Sequence, residues 1–548
     1  MALLSIDTNI YSNIILYGLV IAFLTSLPKS WILRPGTKTD NHPSKGSYPL
    51  NLGATIRNRW RAWTFLIKGP SIIQDGYNKS NGDPYEVFSP DNRYVFVSKE
   101  EHIKEVDSAP DTVLSLQAAS KQMLQPKYTM AGFNWFDRRG TEGVGFVRAL
   151  RTLLTNNLPA VLPELRVSVS KLIDEMHDSH SAVDGKLKSL LDVKVISADV
   201  EIGVKHSPLL PMVLRLTALT NARAFFGQEL CQNENFMRSA MAYIEQTLAL
   251  AEIIRLLPSS IAPIFGKVLA KTLTSQKEIF KAMMPIAEER IREKELKALG
   301  QKVPIHHDCI QWIMETAPRS NPWSAERIVH ELMAIWFGSV HVLTTTIAFA
   351  MHDLCLHPEH TEPLRTELRS DAYSEFERTG KGLPLLDSFI KESARLTPVE
   401  SMSTRRQAIA PFTFSDGTHL AVGDWAVTPL RAMLHDDAHF PEANQFNGFR
   451  HVQPAVLEKL TGSNFGSLEA QEPSLLTDVN KHWHVWGTGR MACPGRFYAA
   501  AAMKTIIGQF ILKFDASLVN EEESRFISWR SFIYPRNRTK VIFRPVEE

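Results

Sequence analysis

Cys493 stands in the stretch Trp486-Gly487-Thr488-Gly489-Arg490-Met491-Ala492-Cys493-Pro494-Gly495-Arg496. Directly behind it, Phe497-Tyr498-Ala499-Ala500-Ala501-Ala502-Met503-Lys504 is a strong helix former. A thiolate just before a helix N-terminus is stabilised by the helix dipole and by nearby backbone N–H groups, which predicts a lowered pKa. The glycines let a loop turn tightly and bring its backbone close to a flat ligand. An axial thiolate ligand of a haem iron is one chemistry that this arrangement suits.

Two other readings compete. A lone cysteine is often a small buried hydrophobe. The same stretch also carries Gly487-x-Gly489-x-x-Ala492 after a candidate strand at residues 482–486, a weak dinucleotide-binding fingerprint. That second reading fails on context. Too little chain follows for a βαβ continuation, and Pro494 falls inside the helix the fingerprint would need.

The stretch resembles the haem-binding loop of the cytochrome P450 family, F-x-x-G-x-[RH]-x-C-x-G. Trp486 stands for the Phe, and Gly489, Cys493 and Gly495 match. Met491 replaces the Arg or His that pairs with a haem propionate, and Arg490 beside it is the candidate substitute. The resemblance implies haem b as cofactor, with Cys493 as the iron's axial ligand. It extends upstream. Phe389-Ile390-Lys391-Glu392-Ser393-Ala394-Arg395 carries Glu-x-x-Arg, and Phe446-Asn447-Gly448-Phe449-Arg450 follows. In isolation Glu392 and Arg395 are a helix-face ion pair worth under about 1 kcal/mol. In the family the pair is joined by a second Arg in a buried network, so the resemblance gives Glu392, Arg395 and Arg450 that structural role. It likewise gives Arg406, and Arg151 in Arg151-x-x-Leu154-Thr155-x-Asn157-Leu158, to the haem propionates. Two solvated arginines, Arg148 and Arg151, are the competing reading of that helix face.

A second set of chemistry-bearing residues lies on a long apolar segment that Ser324 is placed to cap. By resemblance it is the helix crossing the oxygen-binding face of the haem, where the family carries [AG]-G-x-[DE]-T-[TS]. Gly338 and Ser339 fit the small positions, His341 replaces the acid and Val342 replaces the threonine. A valine cannot hydrogen-bond to a bound oxygen. His341, Ser339 and Thr344 are therefore the candidate proton relay, with Thr345 or a water as alternatives. Packing is the competing reading for His341 and for all three threonines, Thr344 to Thr346. Just beyond, His352, Cys355, His357 and His360 have zinc-like spacing, but Pro358 breaks the helix on which they would converge.

The elements that must position these residues are mostly helical. Residues 163–300 hold several long amphipathic patterns, and residues 85–89 and 93–98 predict a β-hairpin around Pro90-Asp91-Asn92. The alternation around Asp416-Gly417, over residues 412–427, predicts a second small sheet. Residues 10–27 are uncharged and about long enough to span a bilayer, with Lys29, Arg34 and Lys38 following; residues 34–50 read as a linker. That charge order predicts an uncleaved anchor with the body of the protein in the cytosol. The four cysteines show no pairing pattern, and a net charge of +2 over 548 residues carries no basic field for nucleic acid.

The expected fold is mainly α with small β-sheets (α+β), a cytochrome P450 fold with one N-terminal transmembrane helix. Residues 1–35 form the anchor and its flank, and residues 36–548 one haem-thiolate catalytic domain. The resemblance is greatest to fungal microsomal members. It implies a monooxygenase that oxidises an apolar small molecule, such as a terpenoid or alkaloid secondary metabolite, with O2. No flavin or nicotinamide motif is present, so electrons are expected from an NADPH-cytochrome P450 reductase at the endoplasmic reticulum membrane. Two alternatives remain open: a haem-thiolate isomerase or dehydratase needing no external reductant, and a haem- or steroid-binding protein without turnover.

Overall fold

The computed structural model describes residues 52–133, 145–178, 197–199, 204–318, 321–462 and 473–546. The expected anchor and linker lie outside them. The described chain opens with helix α1 (Leu52–Ser80), the hairpin β1 (Tyr85–Phe88) and β2 (Arg93–Phe96), α2 (Glu100–Ser108), β3 (Leu114–Ser115) and α3 (Leu116–Leu124). Next come α4 (Leu158–Asp178), β4 (Ser197–Asp199), β5 (Val204–Pro208), α5 (Leu209–Cys231), α6 (Glu234–Leu256) and α7 (Thr274–Ala298). The centre is α8 (Ala325–Leu356), followed by α9 (Pro384–Leu396). The remainder used below is β6 (Ser403–Ala408), β7 (Phe412–Thr413), β8 (His419–Leu420), β9 (Trp425–Thr428), α10 (Arg496–Lys513) and β10 (Phe514–Leu518). The chain ends on β11 (Phe526–Trp529), β12 (Phe532–Pro535) and β13 (Lys540–Pro545).

Helix α8 has the length and apolarity of a membrane span, yet most of its apolar surface is covered by the protein itself. At 32 residues it is about 48 Å long. Ser324 caps it, its hydroxyl oxygen accepting the Arg327 N–H at 3.3 Å. Helix α5 packs along it, with the rings of Phe226 and Trp336 4.9 Å apart. The Trp336 indole N–H donates to the Ala240 carbonyl of α6 at 2.8 Å. A helix buried on nearly every side has no polar face to spare, which is why its sequence reads apolar all round.

The predicted hairpin forms with Tyr85 opposite Phe96. The second small sheet expected over residues 412–427 does not form as one unit. Only β7 and β8 pair with each other there, around the Asp416-Gly417 turn, where Gly417 has φ +86°. The later part, β9, is buried at all four positions and inserts between β2 and β6. A five-stranded sheet results, in the order β1-β2-β9-β6-β3, with β2 and β9 parallel. Alternation marks a strand with one wet face; β9 is covered on both, so its own pattern could not say which sheet it joins. A four-stranded sheet, β10-β13-β5-β4, closes the other end of the described chain.

The hairpin turn is tied to the helices by a buried charge cluster. Asp91 accepts from Arg255 at 2.8 Å and from Arg530 at 2.7 Å, and Arg530 also donates to Glu252 at 2.8 Å. Burial alone would raise the Asp91 carboxyl, but the two guanidiniums overcome it and hold the group far below the ordinary carboxylate range. Arg530 lies against α1 so closely that a Cβ on Gly69 would sit 1.8 Å from its carbonyl oxygen, so that contact admits only glycine. Replacing Asp91 by Asn strands buried cationic charge and is expected to cost about 3–5 kcal/mol. Thermal unfolding at pH 7 checks this; Glu375→Gln, which breaks only an exposed pair with Arg378, is expected to shift stability by under about 0.5 kcal/mol.

Candidate active site

The Cys493 loop is held at both ends by backbone bonds. The Cys493 N–H donates to the Trp486 carbonyl at 2.7 Å, and the Gly487 N–H to that of His484 at 2.9 Å. Gly487 and Gly489 both have left-handed φ, +82° and +53°. No strand precedes the glycines: residues 482–486 make only an isolated Asn480–Trp483 bridge, which removes the structural setting a dinucleotide fingerprint requires. Trp486 anchors the loop through its indole N–H, which donates to the Leu476 carbonyl at 2.6 Å; Trp483 donates to the same oxygen at 3.1 Å. Helix α10 starts at Arg496, whose guanidinium reaches back to the Cys493 carbonyl at 3.1 Å and to that of Thr477 at 3.0 Å. Gly495 is the helix's N-cap residue.

The expectation of a lowered thiol pKa needs correction. Burial pushes the Cys493 thiol up, and the N–H groups of Gly495 and Arg496, with the Arg496 and Arg151 guanidiniums, only partly pull it back. The helix-terminal donors are present, but the desolvation that goes with a covered cysteine outweighs them in the protein alone. A cation at the sulfur reverses that balance, because a coordinating thiol is deprotonated outright.

Behind the loop the structure brings Glu392, Arg395 and Arg450 together. Arg395 grips Glu392 with two bonds, 2.7 and 2.8 Å, and Arg450 donates to the same carboxylate at 2.9 Å. All three side chains are fully buried. Their remaining N–H groups are spent on carbonyls of residues 434–445, a meander with little regular structure: Leu434, Ala443 and Gln445 for Arg395, and Pro441, Glu442 and Gln445 for Arg450. The Asn447 N–H also donates to Glu392, at 3.1 Å. Burial would raise the Glu392 carboxyl; Arg395 and the nearby His451 hold it far below its ordinary value.

Along its middle, helix α8 opens on one line. Gly338 and Val342 are exposed and Thr346 is half-buried, each four residues from the last, whereas Val340, Leu343, Thr344 and Thr345 are buried. A Cβ on Gly338 would meet nothing within 4 Å, and Val342 is 49% exposed. Two of the expected relay residues flank this line, both half-buried: Ser339 on one side and, on the other, His341. Its Nε2 has no hydrogen-bond partner among the described residues, and burial pushes its pKa down to about 4. Ser339 turns its hydroxyl back onto the Trp336 carbonyl at 3.0 Å. Thr344 is covered on another face and its hydroxyl has no partner among the described residues. The hydroxyl on the open line is that of Thr346, which donates to the Val342 carbonyl at 3.1 Å. Sequence spacing contained this: Gly338, Val342 and Thr346 share an i, i+4, i+8 row. A bridge ties α8 to the cysteine's helix. The Tyr498 hydroxyl donates to Asn221 at 2.9 Å, and the Asn221 amide donates to the Ser339 carbonyl at 3.2 Å.

The arginines expected at the propionates are distributed unevenly. Arg406 is buried on β6 and pairs with Asp107 of α2 at 3.2 Å. Arg151, in a π-helical turn over Ala149–Leu154, donates to the carbonyls of Arg490 and Ala492 at 3.4 and 3.5 Å. Arg490 does not take the place of the missing cation at Met491. It turns outward to Asp111 and to the Ala109 carbonyl, both at 2.8 Å, while Met491 is buried. Asp107 and Asp111 are contributors that sequence reading missed. His352, Cys355, His357 and His360 do not converge: His352 lies near Arg525, and His357 stacks on Phe446 with ring centres 4.2 Å apart. The donor set fits a haem: one thiol met by two backbone N–H groups, a buried guanidinium, and a helix face whose open residues are a glycine and a valine.

Known proteins resemble this chain over most of its length. A family model described as Cytochrome P450 matches residues 204–543. Cytochrome P450 monooxygenase 151 of Postia placenta is 26% identical over 526 residues, covering 92% of this chain and 95% of that protein. The ent-kaurene oxidase of Gibberella intermedia is 27% identical, covering 88% and 84%. Among solved structures, the retinoic acid bound cyanobacterial CYP120A1 shares the fold with a TM-score of 0.62 at 16% identity, over 88% of this chain and 97% of that one.

Two outcomes are expected. Glu392→Gln leaves two buried guanidiniums facing a neutral amide, so unfolding free energy should fall by about 3–5 kcal/mol in denaturant titration. Burial also holds His341, His352, His451 and His484 at a pKa of about 4, against about 6.5 in an unfolded chain. The stability these four contribute is complete above about pH 6.5 and is lost as pH falls toward 4. The depressed carboxyls, Glu392 and Asp91, titrate below that window and do not offset the loss. The urea midpoint should therefore be lower at pH 5 than at pH 7.5.

Proposed function

The chain belongs to the cytochrome P450 family, and on that premise we propose that Cys493 is the axial ligand through which this haem-thiolate monooxygenase oxidises an apolar small molecule. The observation that carries the assignment is the Cys493 thiol, held on a doubly anchored loop at the start of α10 and met by the N–H groups of Gly495 and Arg496. The enzyme is an oxidoreductase and haem b is its cofactor. Bound haem supplies dioxygen activation and the oxidation of a C–H bond.

The chain's own residues do the rest. Cys493 supplies the thiolate, and the Gly495 and Arg496 N–H groups bear on its charge. Arg406 and Arg151 are the proposed partners of the propionates. Glu392, Arg395 and Arg450 keep the meander, and with it the loop, from shifting. The open line of α8 presents Gly338 and Val342, so the part of the substrate lying there meets apolar surface and excludes water. His341 is neutral at physiological pH and carries a proton as imidazole, not as imidazolium. Of the terpenoid and alkaloid classes expected from the sequence, a relative named as an ent-kaurene oxidase supports a terpenoid. Electrons are proposed to come from a separate NADPH reductase docking on the Cys493 side, with residues 10–27 anchoring the enzyme in the endoplasmic reticulum membrane.

A second reading is favoured by Val342, which puts no hydroxyl where the family's threonine stands. In that reading the enzyme rearranges or dehydrates a substrate that already carries oxygen and needs no reductant. The reduced, carbon-monoxide-bound spectrum should show a thiolate-type Soret band in the wild type and lose it in Cys493→Ala. The same band in both would remove Cys493 from the iron. Substrate consumption should then require both NADPH and added reductase; conversion without either selects the second reading.

A further inference from the structure

Asp107 lies near the C-terminal end of α2, 381 residues before Thr488 of the cysteine loop. Its Oδ1 accepts two bonds, from the Thr488 hydroxyl at 2.7 Å and from Arg406 at 3.2 Å. Thr488 precedes Cys493 by five residues, so one carboxylate joins the cysteine loop to the guanidinium on β6. The approach is close: a Cβ on Gly489 would stand 3.0 Å from the carboxyl carbon and from Oδ2 of Asp107. The φ of +53° favours glycine at 489, and a Cβ there would press on the Asp107 carboxyl.

The strand that presents Arg406 is bent to do so. The register of β6 against β9 shifts between Ser403 and Arg406, and Thr404 inside that bulge has φ +51°. Left-handed φ on a β-branched residue is strained and persists only where its surroundings over-determine it. Here the surroundings are the same group of residues, with the Thr404 hydroxyl 3.3 Å from that of Thr488. Bulges re-aim side chains, and this one aims Arg406 at Asp107. Meanwhile Met491 is neutral, and Arg490 is turned away to Asp111.

We propose that Asp107 is a positioning residue: it locks Arg406 and the Cys493 loop in one register, and its charge, shared with Arg406, lowers the reduction potential of the bound haem. The inference rests on Arg406 facing a propionate. A cation near the haem favours the reduced form, which carries one more electron. A carboxylate drawing on that cation favours the oxidised form.

The test uses the full-length, haem-loaded protein. Asp107→Asn keeps an acceptor for Thr488 and removes only the charge. Its midpoint potential should rise, with the one-electron reduction equilibrium shifting about 3- to 10-fold, tenfold being about 59 mV. Asp107→Glu keeps the charge and should stay near the wild type even if it releases haem faster. Thr488→Val should speed haem transfer to apomyoglobin without moving the potential, as a purely structural loss would. Arg406→Leu should lower the potential and speed haem release. An unmoved potential in Asp107→Asn, or an equal rise in Asp107→Glu, overturns the proposal while Arg406→Leu still responds. If Arg406→Leu changes neither property, the placement of Arg406 at the propionate falls, and the role of Asp107 with it.

Discussion

Everything around the cysteine depends on one buried carboxylate, Glu392, held by two guanidiniums in a region with no access to water. Such a cluster is costly to desolvate, and its three members alone would be a poor way to add stability. Its value lies in where the spare N–H groups go. Arg395 and Arg450 donate to five meander carbonyls between them, at Leu434, Pro441, Glu442, Ala443 and Gln445. A segment with little regular structure thus acquires fixed partners for its backbone. Nearer the cysteine, Trp483 and Trp486 attach the loop at the Leu476 carbonyl.

Helix α8 is built on the opposite principle. It has fixed neighbours on nearly every face and along its middle opens one row, Gly338, Val342 and the half-buried Thr346. Because the row is one side of a rigid helix, its chemistry changes by single substitutions without moving the helix. A valine in the middle makes the row mostly apolar and leaves its hydroxyl four residues on, about 6 Å along the axis. The Tyr498–Asn221–Ser339 bridge fixes the distance between this row and the cysteine's helix from behind. The two sides of the site are thereby parts of one packed unit, not neighbours that happen to touch.

Much of this was legible in the sequence because the relevant signals are local. Glu392 and Arg395 lie one helical turn apart, the Arg450 segment and the glycine loop follow in order, and Ser324 announces the start of α8. What was not legible depends on contacts between distant segments. Thr344 and Thr346 look alike in the sequence, and only the rotation of the helix against α5 hides one and exposes the other. Arg490 sits beside Met491 in the chain, yet the carboxylate of Asp111, some 380 residues earlier, turns it outward. The pattern of β9 said strand but not which sheet. The thiol's pKa was misjudged for a related reason: helix-end donors can be read from the sequence, whereas desolvation is a property of the packed neighbourhood.

Asp91, Glu392 and Asp107 show one chemical motif, a carboxylate against arginine, put to different uses by burial. At Glu392 both partners are sealed and every oxygen is engaged, so the charges have no alternative arrangement and the group acts as scaffold. Asp91 binds two arginines and ties the hairpin turn to α6 and the C-terminal strands, again with little freedom. Asp107 differs on each count. Its side chain is 23% exposed, it has one arginine, and the contact is 3.2 Å. A pair that loose adds little to folding stability, since partial solvation screens it. A charge beside a redox centre acts over a longer range than a hydrogen bond, so the same looseness does not prevent it from biasing an electron equilibrium. The strained backbone at Thr404 and the close passage at Gly489 are concentrated around this weakest of the three pairs. Strain retained where it adds no stability points to the position of Arg406, rather than to the strength of its ion pair, as what that corner of the fold maintains.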